Sequence, residues 1–132
     1  MHYVYELKVG GQPYYGYTSR PPQTRLEEHL KMAESGKWKH KSKLYPLLHE
    51  LEGDHEFQVL KETTSELEAL LFEIAAIRSK GRKNTLNLSN GGEGSTMIVR
   101  LKYKDGKLGY TVKSRKRSTK RKTRRNRRRY RR

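Results

Sequence analysis

The chain has no cysteine. That excludes a disulfide-stapled secreted scaffold, a thiolate metal site and a cysteine nucleophile. No apolar run approaches the ~18 residues that a membrane span needs. The first residues, MHYVYELKV, lack the basic-then-apolar layout of a signal peptide. A soluble, intracellular protein with no membrane partner is the expectation. Apolar residues fill only 32% of 132 positions, which suits one small domain and a tail. Acidic residues are also scarce, 14 against 31 Lys+Arg, for a formal net charge of +17. The imbalance is local. Fourteen of the basic residues fall in the last 20 positions, with no acidic residue among them. A like-charged block repels itself and cannot bury a core, so residues 113–132 are expected to be disordered when free. The preceding 112 residues are nearly balanced in charge and read as an ordinary globular domain.

Hydrophobic patterning and turn chemistry predict the elements. Tyr3 to Val9 is β-rich, Gly10-Gly11-Gln12-Pro13 is a turn, and Tyr14 to Thr18 resumes an aromatic strand, so a hairpin opens the chain. Pro21-Pro22 breaks it. A helix is expected from about Thr24 to Ser35, with Leu26, Leu30 and Ala33 facing inward and Gly36 as its stop. A second helix spans about Leu44 to Leu51, with Pro46 in its first turn. His55 to Lys61 reads as a strand with Phe57 and Val59 on one face. Ser65-Glu66-Leu67-Glu68 has the form of a capping box and opens a helix to about Lys80, ended by Gly81. An Asn/Gly-rich loop, 84–94, leads to a hairpin extension over 97–113 with Asp105-Gly106 at its turn. The order β-β-α-α-β-α predicts an α+β fold, a small and mostly antiparallel three-stranded sheet flanked by helices. Residues 1–94 form the expected main domain, 95–112 the hairpin extension and 113–132 the polybasic tail.

Polar residues interrupt this pattern at telling places. Arg25 and His29, at i and i+4, share a face of the first helix. Tyr5 and Tyr14 sit on the paired strands. Glu73 interrupts the most apolar window of the chain. A base for water, a cation for phosphate charge and a carboxylate for a metal are the groups that phosphodiester hydrolysis needs. Each group also has a plainer reading. The tyrosines suit cross-strand packing, Arg25 and His29 suit a solvated helix face, and Glu66, Glu73 and Lys80, spaced by sevens, suit a water-facing stripe. Asn87 with the neighbouring glycines suits turn chemistry.

Taken together and in order, the segments resemble the GIY-YIG nuclease family. They are Tyr3-Val4-Tyr5, then Tyr14-Tyr15-Gly16, then Arg25-Leu26-Glu27-Glu28-His29 as R-x-x-x-H. Ala69-Leu70-Leu71-Phe72-Glu73 and the closing 86–94, LNLSNGGEG, follow. Tyr3 stands where the family usually has Gly. The resemblance covers about residues 3–94 and implies a metal-dependent endonuclease acting on DNA, of a small stand-alone, phage- or homing-type kind, with RNA not excluded. It implies Tyr5 as the group that deprotonates water, alone or with His29, and Tyr14 as the group that positions water or phosphate. Arg25 would stabilise the transferred charge and Glu73 would be the one protein ligand of Mg²⁺ or Mn²⁺. Asn87 would brace the site, and Gly16 would allow close backbone approach. His40, where some members carry a further histidine, is a candidate additional catalytic group.

Two basic surfaces are candidate nucleic-acid contacts. One is the loop of Lys37, Trp38, Lys39 and Lys41. The other is the tail, with Arg115, Lys116, Arg117, Lys120, Arg121, Lys122, Arg124, Arg125, Arg127, Arg128 and Arg129. The alternative function is a non-catalytic DNA- or RNA-binding protein on the same fold. One active site per chain cuts two strands only by dimerising or by nicking twice, and no sequence pattern chooses between monomer and dimer.

Overall fold

The structure, a computed structural model, describes residues 1–38, 42–51 and 54–115. They divide into two compact units, Met1–Gly92 and a second beginning at Glu93. The first unit holds strands β1 (His2–Val9), β2 (Gln12–Thr18) and β3 (His55–Thr63) with helices α1 (Pro22–Ser35), α2 (Leu44–Glu50) and α3 (Glu66–Lys80). A 3₁₀ turn, Arg82–Asn84, follows α3. The fold is α+β, a three-stranded antiparallel sheet in the order β2-β1-β3 with three helices around it. The second unit is a two-stranded antiparallel hairpin, β4 (Met97–Lys104) and β5 (Lys107–Ser114). Asp105 and Gly106 both take positive φ at its turn, the conformation of a two-residue hairpin loop.

The element ends follow local chemistry. Gly10 and Gly11, both at positive φ, close the β1–β2 turn. Helix α1 starts at Pro22, two residues before the expected Thr24. Proline at the first helical position gives up an N–H that would have no partner there, and the Pro21 carbonyl accepts from Thr24 N at 3.0 Å. Gly36 ends α1 in the left-handed conformation. Ser65 caps α3 by accepting from Glu68 N at 3.1 Å. The Glu68 carboxylate does not complete a capping box. It accepts from Thr63 Oγ1 at 3.0 Å and pairs with Lys61 at 3.1 Å.

One expectation fails on β3. Val59 is 43% exposed, whereas Leu60 is half-buried. The pairing with β1 slips between Val4↔Lys61 and Tyr5↔Val59, and the bulge this creates breaks the simple alternation of faces.

The main core joins Leu7 and Val9 of β1, Leu26 and Ala33 of α1, Leu44 and Leu48 of α2, and Leu86. Tyr14, Leu30, Tyr45 and Phe57 pack against it. Leu30 is thus only partly covered, and His29 takes the buried place beside Leu26 and Ala33. Helix α1 packs on α2, and α3 packs against all three strands. No described helix is long and apolar enough to cross a membrane.

Candidate active site

The hairpin register sets the first two groups. Tyr5 lies opposite Gly16 and Leu7 lies opposite Tyr14, so Tyr5 and Tyr14 are diagonal neighbours on one face. Their ring centroids are 6.4 Å apart. Tyr15 is on the other face, where it meets Glu6, its direct partner in the register. Tyr14 is therefore the member of the tyrosine pair that faces the site. A Cβ at Gly16 would run into Cζ and Oη of Tyr5, so the missing side chain is the space that the Tyr5 ring fills.

Helix α1 supplies the next groups. His29 is fully buried yet satisfied at both ring nitrogens. Tyr5 Oη lies 2.6 Å from Nε2 and Tyr45 Oη lies 2.9 Å from Nδ1. A buried imidazole needs both bonds, and together they join β1, α1 and α2 in one hydrogen-bonded chain. Arg25, four residues earlier on the same face, is half-buried and acts on the hydroxyl of Tyr5. Glu28 orients it, accepting from Arg25 Nη1 at 3.1 Å and from Arg20 Nη2 at 2.6 Å. These two contacts, Arg20 first, hold the Glu28 carboxyl below its ordinary range.

Burial dominates the protonation of the site. It pushes the Tyr5 hydroxyl well above its ordinary value, with Tyr14 adding to the rise, and the opposing pull of Arg25 does not reverse it. It pushes Tyr14 up to about 12, helped by Glu73. It pushes His29 down to about 3, helped by the positive charge of Arg25. At neutral pH both tyrosines keep their protons and His29 is neutral.

Glu73 does not lie on a water-facing stripe. It is 7% exposed and Glu66 is buried with it, while Lys80 is exposed. Its Oε1 accepts from Gly92 N at 3.0 Å. Gly91, at φ 82°, leaves room for this approach, because a Cβ there would sit 3.1 Å from Oε1. Among the described residues there is no cluster of three or more His, Cys, Asp or Glu that would enclose a metal. One hard carboxylate near the tyrosines fits an ion such as Mg²⁺, which keeps most of its water and takes one or two carboxylates.

Asn87 has a different position. Its Oδ1 accepts from Tyr15 N at 3.0 Å and its Nδ2 donates to Tyr15 O at 2.7 Å. It therefore clamps β2 by the backbone between Tyr14 and Gly16. Leu86 N adds a bond to Pro13 O at 2.8 Å. Trp38 is an anchor in this structure: its indole N–H donates to Ala33 O at 3.1 Å and its ring lies 6.0 Å from that of His49. Lys37 is exposed and Arg115 is described, whereas Lys39, His40, Lys41 and residues 116–132 lie outside the described residues. Sequence reasoning passed over Tyr45, Arg20 and Glu28. No motif marks them: Tyr45 reaches His29 only when α2 packs on α1, and Glu28 meets Arg20 only when the chain before α1 folds back on that helix. A cleft beside Tyr14 is lined in part by Ser42, Lys43, Tyr45, Asn87 and Ser89.

Comparison with curated proteins gave no match, and neither did comparison with solved structures. A family model described as the GIY-YIG catalytic domain matches residues 1–87. That span carries Tyr5, Tyr14, Arg25, His29 and Glu73 and ends on the Asn87 clamp. The domain is of the nuclease type and implies a nucleic-acid substrate. The chain belongs to the GIY-YIG catalytic domain family, a family of endonucleases.

Proposed function

We propose that this protein hydrolyses DNA phosphodiester bonds with water as the nucleophile, assisted by one Mg²⁺ or Mn²⁺ held by Glu73. The observation that supports this most is the buried chain Tyr5–His29–Tyr45 with Arg25 against its first member. Binding alone calls for no such arrangement.

Because Tyr5 keeps its proton, it donates to His29 Nε2. His29 then carries its own proton on Nδ1 and donates it to Tyr45 Oη. This polarity leaves the Tyr5 oxygen free to accept from water while its proton passes to His29 Nε2. Tyr5 acts as a relay and neutral His29 as the proton acceptor, a charge separation that its lowered pKa opposes and that the anionic phosphate in the site has to offset. The simpler role expected from sequence, Tyr5 as a phenolate, sits poorly with its raised pKa. Tyr14, also protonated, donates a hydrogen bond to water or to a phosphate oxygen. Arg25 meets the charge that builds on the phosphate, a task suited to its fixed fork of donors. Glu73 would hold the divalent ion, which when bound would supply Lewis-acid stabilisation of the charge that builds on the phosphate. Lys43, exposed at the cleft beside Tyr14, is placed to hold a neighbouring phosphate. The polybasic tail raises the local concentration of DNA without reading its sequence.

The test uses supercoiled plasmid with Mg²⁺, Mn²⁺ or EDTA, comparing the full chain with Tyr5→Phe and Glu73→Ala. Metal-dependent nicking or linearisation that disappears in both variants is the expected result. No cleavage with any metal on DNA, with salt-sensitive binding intact, would favour the binding-only reading.

A further inference from the structure

The two faces of the β4–β5 hairpin are chemically opposite. The register places Val99, Leu101 and Tyr103 opposite Val112, Tyr110 and Leu108, so one face is apolar and aromatic. The other face pairs Arg100 with Thr111, Lys102 with Gly109 and Lys104 with Lys107, and ends on Ile98 with Lys113. Neither strand contains an acidic residue. The five cations of that second face are all exposed.

We infer that this basic face is a β-ribbon that seats in the major groove of duplex DNA. Three features carry the inference. First, the face is five positive charges spread over two strands of eight residues, roughly 26 Å long at the rise of a strand. A two-stranded ribbon of this kind fits the B-form major groove, which is about 12 Å wide. Second, Lys104 and Lys107 stand directly opposite each other beside the turn. Like charges there destabilise a hairpin, and a phosphate between them removes the penalty. Third, the centre of the face lacks a side chain on β5. Gly109 lies in extended strand, and a Cβ on it would meet nothing nearer than Lys102 O at 3.9 Å. Neither strain nor crowding inside the hairpin requires glycine there. A glycine in mid-strand costs stability and marks a place where a ligand or another backbone comes close. Here it leaves an opening on β5 between Lys107 and Thr111, across from Lys102. Duplex RNA, whose major groove is deep and narrow, does not admit such a ribbon.

The test is a binding measurement and stands apart from cleavage. The full chain carrying Glu73→Ala, in EDTA, is titrated onto a fluorescent DNA duplex between 50 and 200 mM salt. Guanine N7 methylation protection is recorded in parallel. Replacing Arg100, Lys102 and Lys104 together with serine should make the slope of log affinity against log salt shallower by about 3. Gly109→Ile changes no charge and favours strand, and its Cβ has room. It should weaken binding by about tenfold or more and abolish the N7 protection, with Gly109→Ala intermediate or unchanged. Amide NMR of the hairpin confirms that each variant keeps β4–β5. The inference is overturned if Gly109→Ile binds and protects like its parent, since the face then acts as diffuse charge. It is equally overturned if Gly109→Ile weakens binding to an RNA duplex by the same factor. Absence of cleavage in the plasmid assay would leave either result readable.

Discussion

Gly16 and Tyr5 occupy the same small volume, and the glycine yields it. In Gly16→Ala the new methyl meets the phenol ring and its hydroxyl. That hydroxyl cannot move without breaking the 2.6 Å bond to His29. Overpacking of this kind costs about 1–3 kcal/mol. The expected outcome is a loss of that size in urea denaturation together with a steep fall in cleavage. His29 makes a second prediction at this scale. Its pKa in the folded protein is lowered to about 3 from 6.5, so the unfolded chain takes the proton first. Folding stability is therefore full above pH 6.5 and falls as pH drops toward 3. The groups around the imidazole are Arg25 and Glu28 on its own helix, Tyr5 and Tyr14 on the sheet, and Tyr45 on α2. Of these, none changes charge between pH 6.5 and 5 in the folded state. Unfolding free energy measured across that window should fall more steeply with decreasing pH in the parent than in His29→Gln.

Helix α3 connects cap chemistry to the site. Ser65 holds its first turn, and Glu73 sits two turns further along. Ser65→Ala should cost about 1 kcal/mol of stability and leave the rate of cleavage unchanged, because the rest of the helix is fixed by Ala69, Leu70, Ile74 and Ile77 in the core. A fall in rate larger than the stability loss explains would mean that the cap also sets the position of Glu73. Most of these elements were readable from local signals. The glycine turn of β1–β2, the Gly36 stop, the Ser65 cap and the Asp105-Gly106 turn each depend on a few neighbouring residues. The failures were of another kind. Val59 is exposed because the pairing of β3 with β1 slips at a bulge. That slip depends on how two strands distant in sequence fit, which no pattern within β3 records. Helix α1 began early because proline suits its first position as well as it suits a break.

At the scale of the whole molecule, charge is the dominant fact. A chain ending at Arg115 should retain the thermal midpoint of the full protein, because residues 116–132 carry no apolar side chain except Tyr130. Its DNA binding should become less dependent on salt and keep the share of the slope that the β4–β5 face supplies. For the full chain, six to ten engaged cations correspond to a loss of about 10³–10⁵-fold in affinity between 50 and 200 mM salt. Equal salt slopes for the two proteins would remove the tail from the DNA interface.

The sequence by itself determined the charge distribution, the order of the elements and the family motif that carries Tyr5, Tyr14, Arg25, His29 and Glu73. Composition, turn residues and the spacing of Tyr5, Arg25, His29 and Glu73 are properties of the chain before it folds. Only the tertiary structure decided what those groups do to one another. Arg25 and His29 could have faced water, and Glu73 could have belonged to an exposed stripe. Packing α1 and α2 over β1 put His29 between Tyr5 and Tyr45. The turn at Gly91-Gly92 closed on Glu73. The deciding quantity was burial, which shifts a tyrosine upward and a histidine downward. Burial belongs to contacts between distant segments, so no local reading of the chain contains it.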